Sequence, residues 1–241
     1  MGLLARGHRP RVEVVADAPR AKVQRTSHTA EGESPANSRN RSEAPAPATG
    51  PICNGRPVEA WIKAVKEGNA SERHEAALVL GTAEPNAKVV AALAAALEDP
   101  DESVRGTAAL SLGKIGEAGV PPLIRALRIG DTASNSNLVI GLAQAGRPAI
   151  ASLIEMLDSY NHAAVSSASV ALGMIGRPAV PDLIVALGHD SPQVRSFALI
   201  ALENVGADAE DAIPAIRERL RDSHPKMREL AAEILEKLKP H

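Results

Sequence analysis

The chain has 241 residues, and its 27 Lys and Arg against 29 Asp and Glu give a formal net charge of −2 at pH 7. This balance argues against a protein that holds nucleic acid by charge, and the single cysteine excludes an internal disulfide or a four-cysteine zinc site. One Trp, one Tyr and one Phe are too few for an ordinary β-sandwich or barrel, so closely packed helices are predicted.

Residues 1–50 differ in composition from the rest of the chain. They are rich in Ala, Pro, Ser, Arg and Glu, and they follow no helical or strand period. Such a segment buries too little apolar surface to offset its ordering entropy, so a disordered low-complexity tail is predicted. The tail either contacts an acidic partner or a membrane surface, or it is a solvated or misassigned start. Without a signal-peptide core or a run of about 18 apolar residues, we expect a cytoplasmic protein with no membrane span.

The remainder, residues 51–241, contains an internal repeat of 30 residues. Two residue types hold this register independently. The glycines are Gly116, Gly146, Gly176 and Gly206, and the leucines are Leu97, Leu127, Leu157 and Leu187. A period of this size indicates stacked supersecondary units.

Each unit is predicted to be a pair of helices, called here the first and the second helix. In the unit 101–130, Asp101 is a candidate N-cap of the first helix, and Gly116 is placed where a left-handed C-terminal residue is needed. Pro121 and Pro122 begin the second helix, at positions that tolerate proline. Glycines inside the first helices, at positions 81, 113 and 173, are predicted to let a neighbouring helix cross closely.

The array is predicted to have a cap at each end. A starting helix over 57–68 contains Trp61, five helix pairs follow over about 71–222, and a charged closing helix covers 225–239. Solenoids require polar outer faces at their ends, which this arrangement supplies.

The strings Ser103–Gly116 and Val120–Leu127 resemble the short bacterial HEAT-like repeat, the type named after phycobilin lyases, and the resemblance covers about residues 54–238. It implies an all-α fold, a right-handed α-solenoid with first helices on the convex face and second helices on the concave face. It does not specify an activity, because this repeat serves many unrelated proteins.

The leading hypothesis is a non-catalytic scaffold that binds a partner protein along the concave face. Two rows of second-helix positions are expected to point outward: Ala95, Arg125, Glu155, Val185, and Ala92, Pro122, Ser152, Asp182. The predicted partner-binding residues are Arg125, Arg128, Ser152, Glu155 and Asp182. Arg125 is also a candidate to pair with Glu155 on the next repeat.

Repeats three and four depart from the repeat pattern, which suggests either a second binding patch or drift on an exposed face. The candidate residues are Asn135, Asn137, Tyr160, Asn161 and His162. By contrast, a recurring arginine at positions 73, 105, 195 and 228 is interpreted as structural: the resemblance implies pairing with acidic residues near adjacent helix starts.

Two alternatives come from other functional classes. A phycobilin lyase subunit or bilin-handling chaperone needs aromatic or basic contacts to its pigment, and only Arg125 and Arg128 qualify. A metal-dependent hydroxylase similar to deoxyhypusine hydroxylase is suggested by His74-Glu75, but only one of six equivalent positions carries that motif. We therefore expect no catalytic residues, no metal, no cofactor, no nucleic acid, and a monomer whose partner is another protein.

Overall fold

The computed structural model describes residues 51–129 and 135–238, with only the backbone of Asn135 described. The predicted disordered tail, residues 1–50, and the end of the predicted closing helix lie outside the described residues. What the structure describes is a helical solenoid, so the predicted fold class is confirmed.

The helices are α1 (Val58–Glu67), α2 (Ala70–Leu80), α3 (Ala87–Ala96), α4 (Glu102–Ile115), α5 (Val120–Ile129), α6 (Asn135–Ala145), α7 (Ile150–Met156), α8 (His162–Ile175), α9 (Val180–Ala186), α10 (Pro192–Val205), α11 (Ile213–Glu218) and α12 (Pro225–Lys237). The first helices α2, α4, α6, α8, α10 and α12 contact one another in succession. The second helices α3, α5, α7, α9 and α11 form the other layer, with α1 packed on both α2 and α3.

Side-chain caps begin several of the first helices. Asp101 accepts hydrogen bonds from the backbone N–H groups of Ser103 and Val104, as the sequence predicted. Asn69 and Glu72 form a reciprocal capping box at the start of α2. These caps satisfy N–H groups that have no partner inside the helix.

Four glycines end first helices with nearly identical backbone angles. At Gly116, Gly146, Gly176 and Gly206 the φ angle lies between 69° and 79°. The ψ angle of Gly176 is −143°, which places it in the mirror image of the extended region and not in the predicted left-handed helical region. Only glycine enters that region without a steric penalty, so the 30-residue glycine period follows from the geometry of each turn.

Small residues bring neighbouring first helices into backbone contact, as predicted. A Cβ atom added to Gly113 would lie 2.3 Å from the carbonyl oxygen of Gly141, and one added to Gly81 would lie 2.5 Å from Ser111 Oγ. The Ser111 hydroxyl donates to the carbonyl of Ala77 across the same interface, over 2.9 Å. This close spacing explains an apolar core that is built from alanine, leucine and valine.

A small hairpin precedes α1, and the sequence analysis did not anticipate it. Strand β1 (Ile52–Cys53) pairs antiparallel with β2 (Arg56–Pro57). The turn residues Asn54 and Gly55 have φ angles of 47° and 72°, typical of a two-residue hairpin turn. The indole N–H of Trp61 donates to the carbonyl of Cys53 over 2.9 Å, which fixes the hairpin against α1.

Candidate protein-binding surface

One row of second-helix residues is exposed as predicted. Ala95, Arg125, Glu155 and Val185 occupy equivalent positions of α3, α5, α7 and α9, and all four are exposed. Val185 retains 77% of its accessible surface. We call this row, together with Arg128, Ile129, Asp158 and Asp182, the second-helix face.

The adjacent row was predicted to point outward, and for half of its members that is wrong. Ala92 and Pro122 are buried, Ser152 is half-buried, and Asp182 is exposed. The buried members are small or cyclic side chains on the side of α3 and α5 that faces the core. In this row the two apolar members are thus buried, and the two polar members are at least partly exposed.

The charges of the second-helix face have no ion-pair partners within residues 51–129 and 135–238. Arg125, Arg128, Glu155, Asp158 and Asp182 are exposed, and none of them takes part in the ion pairs of the described residues. In particular, the suggested pair of Arg125 with Glu155 does not form.

Two cavities flank Arg125 along α3 and α5. One, of about 220 Å³, lies between α3, α4, α5 and α6. It is lined by apolar side chains and by the polar residues Glu98, Glu102, Arg105, Arg125 and Asn137. The other, of about 470 Å³, lies near the start of α3 and is lined mainly by Ala, Pro and Val. Arg125 lines both cavities, together with residues of α3 in the preceding repeat.

The recurring arginines join adjacent repeats, which confirms the structural interpretation for two of them. Arg73 donates from Nε and Nη2 to the carboxylate of Asp99 over 2.7 and 2.8 Å. Arg195 does the same to Asp222 over 3.0 and 2.9 Å, and both of these side chains are buried. Such bidentate pairs fix the orientation of one repeat relative to the next.

These contacts change the acidity of the two aspartates. The hydrogen bond from Arg73 lowers the pKa of Asp99 below its ordinary value, and this exceeds the opposing effect of burial. At Asp222, burial raises the pKa, but hydrogen bonds from Arg195 and the His224 backbone, with nearby positive charge, bring the net pKa below its ordinary value. Both carboxylates are therefore held in the charged form.

Two other arginines of the series make only half of this arrangement. Arg105 donates from Nη1 to the carbonyls of Asp99 and Pro100, over 2.8 and 3.0 Å. Arg228 likewise donates to the carbonyls of Asp222 and Ser223. No carboxylate in residues 51–129 or 135–238 receives the Nε side of either guanidinium.

The residues of the second predicted patch have different positions and contacts in the structure. Asn137 lines the smaller cavity, next to Arg125. Asn161 caps α8 and donates from Nδ2 to the carbonyl of Arg128 over 3.1 Å, so it has a structural role. Tyr160 and His162 are exposed and do not line that cavity, and the side chain of Asn135 lies outside the described residues.

His74 contacts the next repeat. Its Nδ1 atom lies 3.0 Å from Thr107 Oγ1 and 3.3 Å from the carbonyl oxygen of Ser103. Across the two described ranges, no group of three or more His, Cys, Asp and Glu side chains is arranged to hold a metal ion.

Within the same ranges no single helix is both long and apolar enough to cross a membrane. Two pairs of consecutive shorter helical segments reach that length only together: Ser136–Ala145 with Arg147–Met156, bent by 114°, and His162–Ile175 with Arg177–Ala186, bent by 113°.

The smaller cavity was not recognised from the sequence, although a signal for it exists. Asp99 and Asp222 both stand six residues before the arginine of their own repeat. The equivalent position before Asn135 is Ile129, which is 77% exposed. This aspartate is absent at the interface where the cavity lies, although the signal is not specific, because positions 159 and 189 also lack it.

Several solved structures are similar to the chain. A structure determined to explain microtubule plus-end tracking is 16% identical, and the match covers 76% of this chain and 92% of that one with a TM-score of 0.51. The complex of CpcE and CpcF of phycocyanin lyase from Nostoc matches at 23% identity, over 76% of this chain and 82% of that one, with a TM-score of 0.36. Human deoxyhypusine hydroxylase matches at 20% identity, over 75% and 84%, with a TM-score of 0.38.

No curated protein matches the chain. The family model of HEAT repeats matches residues 58–135 and 180–241, more than half of the sequence. With the stacked helix pairs and the 30-residue glycine period, this match shows that the chain belongs to the HEAT repeat family.

Proposed function

We propose that this protein is a non-catalytic platform that binds another protein through its second-helix face. A HEAT repeat solenoid is a fold suited to protein interaction, because stacked second helices present one extended surface. The observation that carries the proposal is the position of Arg125. It is exposed, it borders two cavities of about 220 and 470 Å³, and it has no ion-pair partner in the described part of the chain.

The contrast with the charges that join the repeats supports this assignment. Arg73, Arg195 and His74 are bonded to groups of an adjacent repeat, and Arg195 is buried in doing so. Within residues 51–129 and 135–238, Arg125, Arg128 and the acidic residues of the second-helix face make no ion pairs of this kind. Exposed charges on a rigid frame can steer a partner and set its register without ordering costs in the frame itself.

The second-helix face also offers apolar contacts beside its charges. Ile129 and Val185 are each 77% exposed, and the cavity near the start of α3 is lined by Pro85, Val90 and Pro122. Apolar anchors surrounded by polar residues are typical of protein interfaces.

Affinity capture from the encoding organism tests the proposal. The full chain and a variant with Arg125→Glu and Arg128→Glu serve as baits, and the eluates are analysed by mass spectrometry and visible absorption. A matched control carries Lys114→Glu and Arg147→Glu, which change the same number of charges at exposed positions outside the second-helix face.

We expect one enriched protein that is retained by the control and lost with the Arg125 and Arg128 variant. The same partners on all three baits would place the binding surface elsewhere. A pigmented eluate that carries a bilin would contradict the platform and favour the lyase alternative.

A further inference from the structure

We propose that Arg105, assisted by Arg125, binds an Asp or Glu side chain of the partner protein in the cavity between α3, α4, α5 and α6. This inference rests on the proposed function and adds the chemistry that the partner must present. It is argued from the way the same chain uses the equivalent arginines.

The equivalent arginine of a later repeat, Arg195, shows which groups a guanidinium at this repeat position binds. Arg195 donates from Nη1 to the carbonyls of His189 and Asp190, which lie six and five residues before it. Its Nε and Nη2 atoms donate to the Asp222 carboxylate of the next repeat, over 3.0 and 2.9 Å.

Arg105 has the first half of this arrangement and lacks the second. Its Nη1 atom donates to Asp99 and Pro100, again six and five residues before it, over 2.8 and 3.0 Å. These bonds orient the guanidinium as in Arg195. The residue that would supply the carboxylate is Ile129, so the Nε and Nη2 side has no acidic partner in residues 51–129 or 135–238.

Arg105 lines the cavity, where a ligand can reach it. The cavity measures about 220 Å³, far more than the roughly 10–15 Å³ that a single water requires. Arg125 and Asn137 line it and add further hydrogen-bond donors, and Leu97, Ala109 and Leu138 supply apolar walls.

The two acidic residues of the cavity set a requirement on the ligand. Glu98 and Glu102 are exposed and form no ion pair with Arg105 or Arg125. They disfavour a ligand with several negative charges. The chemistry of the cavity therefore fits one carboxylate on a segment that also carries apolar side chains.

A substitution at Ile129 tests this without removing any contact of Arg105. Ile129→Asp restores the residue type that stands at the equivalent positions 99 and 222. We expect the introduced carboxylate to accept hydrogen bonds from Arg105 and so to block ligand binding. The thermal midpoint should also rise above that of Ile129→Asn, the uncharged control of equal size.

The probe is a phage-displayed random peptide library selected on the immobilised full chain, followed by titration with synthetic copies of the enriched peptides. We expect an Asp or Glu beside apolar residues in the enriched set, and about tenfold weaker binding when that residue becomes Asn or Gln. Ile129→Asp and Arg105→Leu should abolish binding. Arg228→Leu, at an equivalent arginine outside this cavity, should leave it intact. Ile129→Asn, which removes the same apolar side chain without adding a carboxylate, should weaken binding far less than Ile129→Asp.

Several results would overturn the inference. Enriched peptides without an acidic residue, no enrichment at all, or acidic peptides that bind Ile129→Asp as well as the natural chain would each do so. Enrichment only on an Asp131→Asn variant would show that the chain's own carboxylate occupies the site. A captured partner that depends on Arg125 and Arg128 but not on Ile129→Asp would contradict this inference and leave the proposed function standing.

Discussion

At the scale of single residues, Arg195 and Asp222 form a buried ion pair that should be costly to break from one side. The exposed fractions of the two side chains are 9% and 3%. Replacing Asp222 by Asn leaves a buried guanidinium without its counter-charge. We expect this to lower the free energy of unfolding at neutral pH by about 3 kcal/mol, as measured by urea denaturation. Asp208→Asn, an exposed control, should have almost no effect.

The same pair makes stability depend on pH in acid. Because the pKa of Asp222 is lower in the folded chain than in the unfolded chain, the pair contributes its full stabilisation above the unfolded pKa of about 3.9. That contribution is lost as the pH falls through the lower folded pKa. The acid-induced loss of stability should be smaller in Asp222→Asn than in the natural chain, and an equal loss in both would contradict this assignment.

Gly176 tests the origin of the glycine period. Its φ of 75° and ψ of −143° are strained for any residue with a Cβ atom, although no atom lies near enough to clash with one. We expect Gly176→Ala to cost about 1–3 kcal/mol of stability through backbone strain alone. Gly188→Ala is the matched control, because Gly188 has an ordinary φ and its nearest neighbour lies 3.4 Å from the added atom. Equal effects at the two sites would exclude strain as the cause.

At the scale of helices, the crossing of α4 and α6 depends on the absence of side chains. An added Cβ at Gly113 would lie 2.3 Å from a backbone oxygen, which cannot move as a flexible side chain can. Gly113→Ala should therefore destabilise the chain by about 1–3 kcal/mol even though alanine favours helix. Thermal unfolding followed by circular dichroism measures this, with the exposed Lys114→Ala as the control. An increase in stability would mean that the two helices can separate freely.

The helices were predictable because their signals are local. Asp101 caps α4 and Gly116 ends it, and each is recognised from its immediate neighbours. The hairpin before α1 also has a local signal, because Asn54-Gly55 strongly favours a tight turn. It was not predicted, because its strands are only two residues long and show no alternation of polar and apolar residues.

Contacts between repeats were harder to predict. The sequence identified the arginine at positions 73 and 195 but not which acid each one meets, since a contact across 26 or 27 residues has no local signal. It also identified Arg125 without its direction, because a helical period places a side chain on a face and does not say which neighbour it approaches. The sequence therefore predicted that Arg125 is exposed, but it did not predict the two cavities that Arg125 lines.

At the scale of the whole molecule, the arginine–aspartate pairs mark the two ends of the array. Within the described residues they join α2 to the turn before α4, and α10 to the turn before α12. At the intervening interfaces the aspartate position holds Ile129, Ser159 and His189. The central repeats thus retain surface for other contacts at positions where the end repeats are tied together.

The predicted tail is tested by its removal. If residues 1–50 contribute no packing, a chain that begins at residue 51 should unfold at the same temperature as the full chain and with the same change in helical signal. A lower midpoint for the shorter chain, measured at equal concentration, would show that the tail packs on the solenoid.

The position of Trp61 has a consequence for spectroscopy. It is the single tryptophan of the chain, it is 3% exposed, and the Arg56 guanidinium stands 4.4 Å from its ring centre. Fluorescence excited at the red edge of protein absorption therefore arises from one end of the solenoid alone. The single tyrosine, Tyr160, is fully exposed at the turn before α8. The natural chain thus carries two distinct optical reporters, Trp61 in α1 and Tyr160 before α8. Local unfolding at either place can be followed without a label.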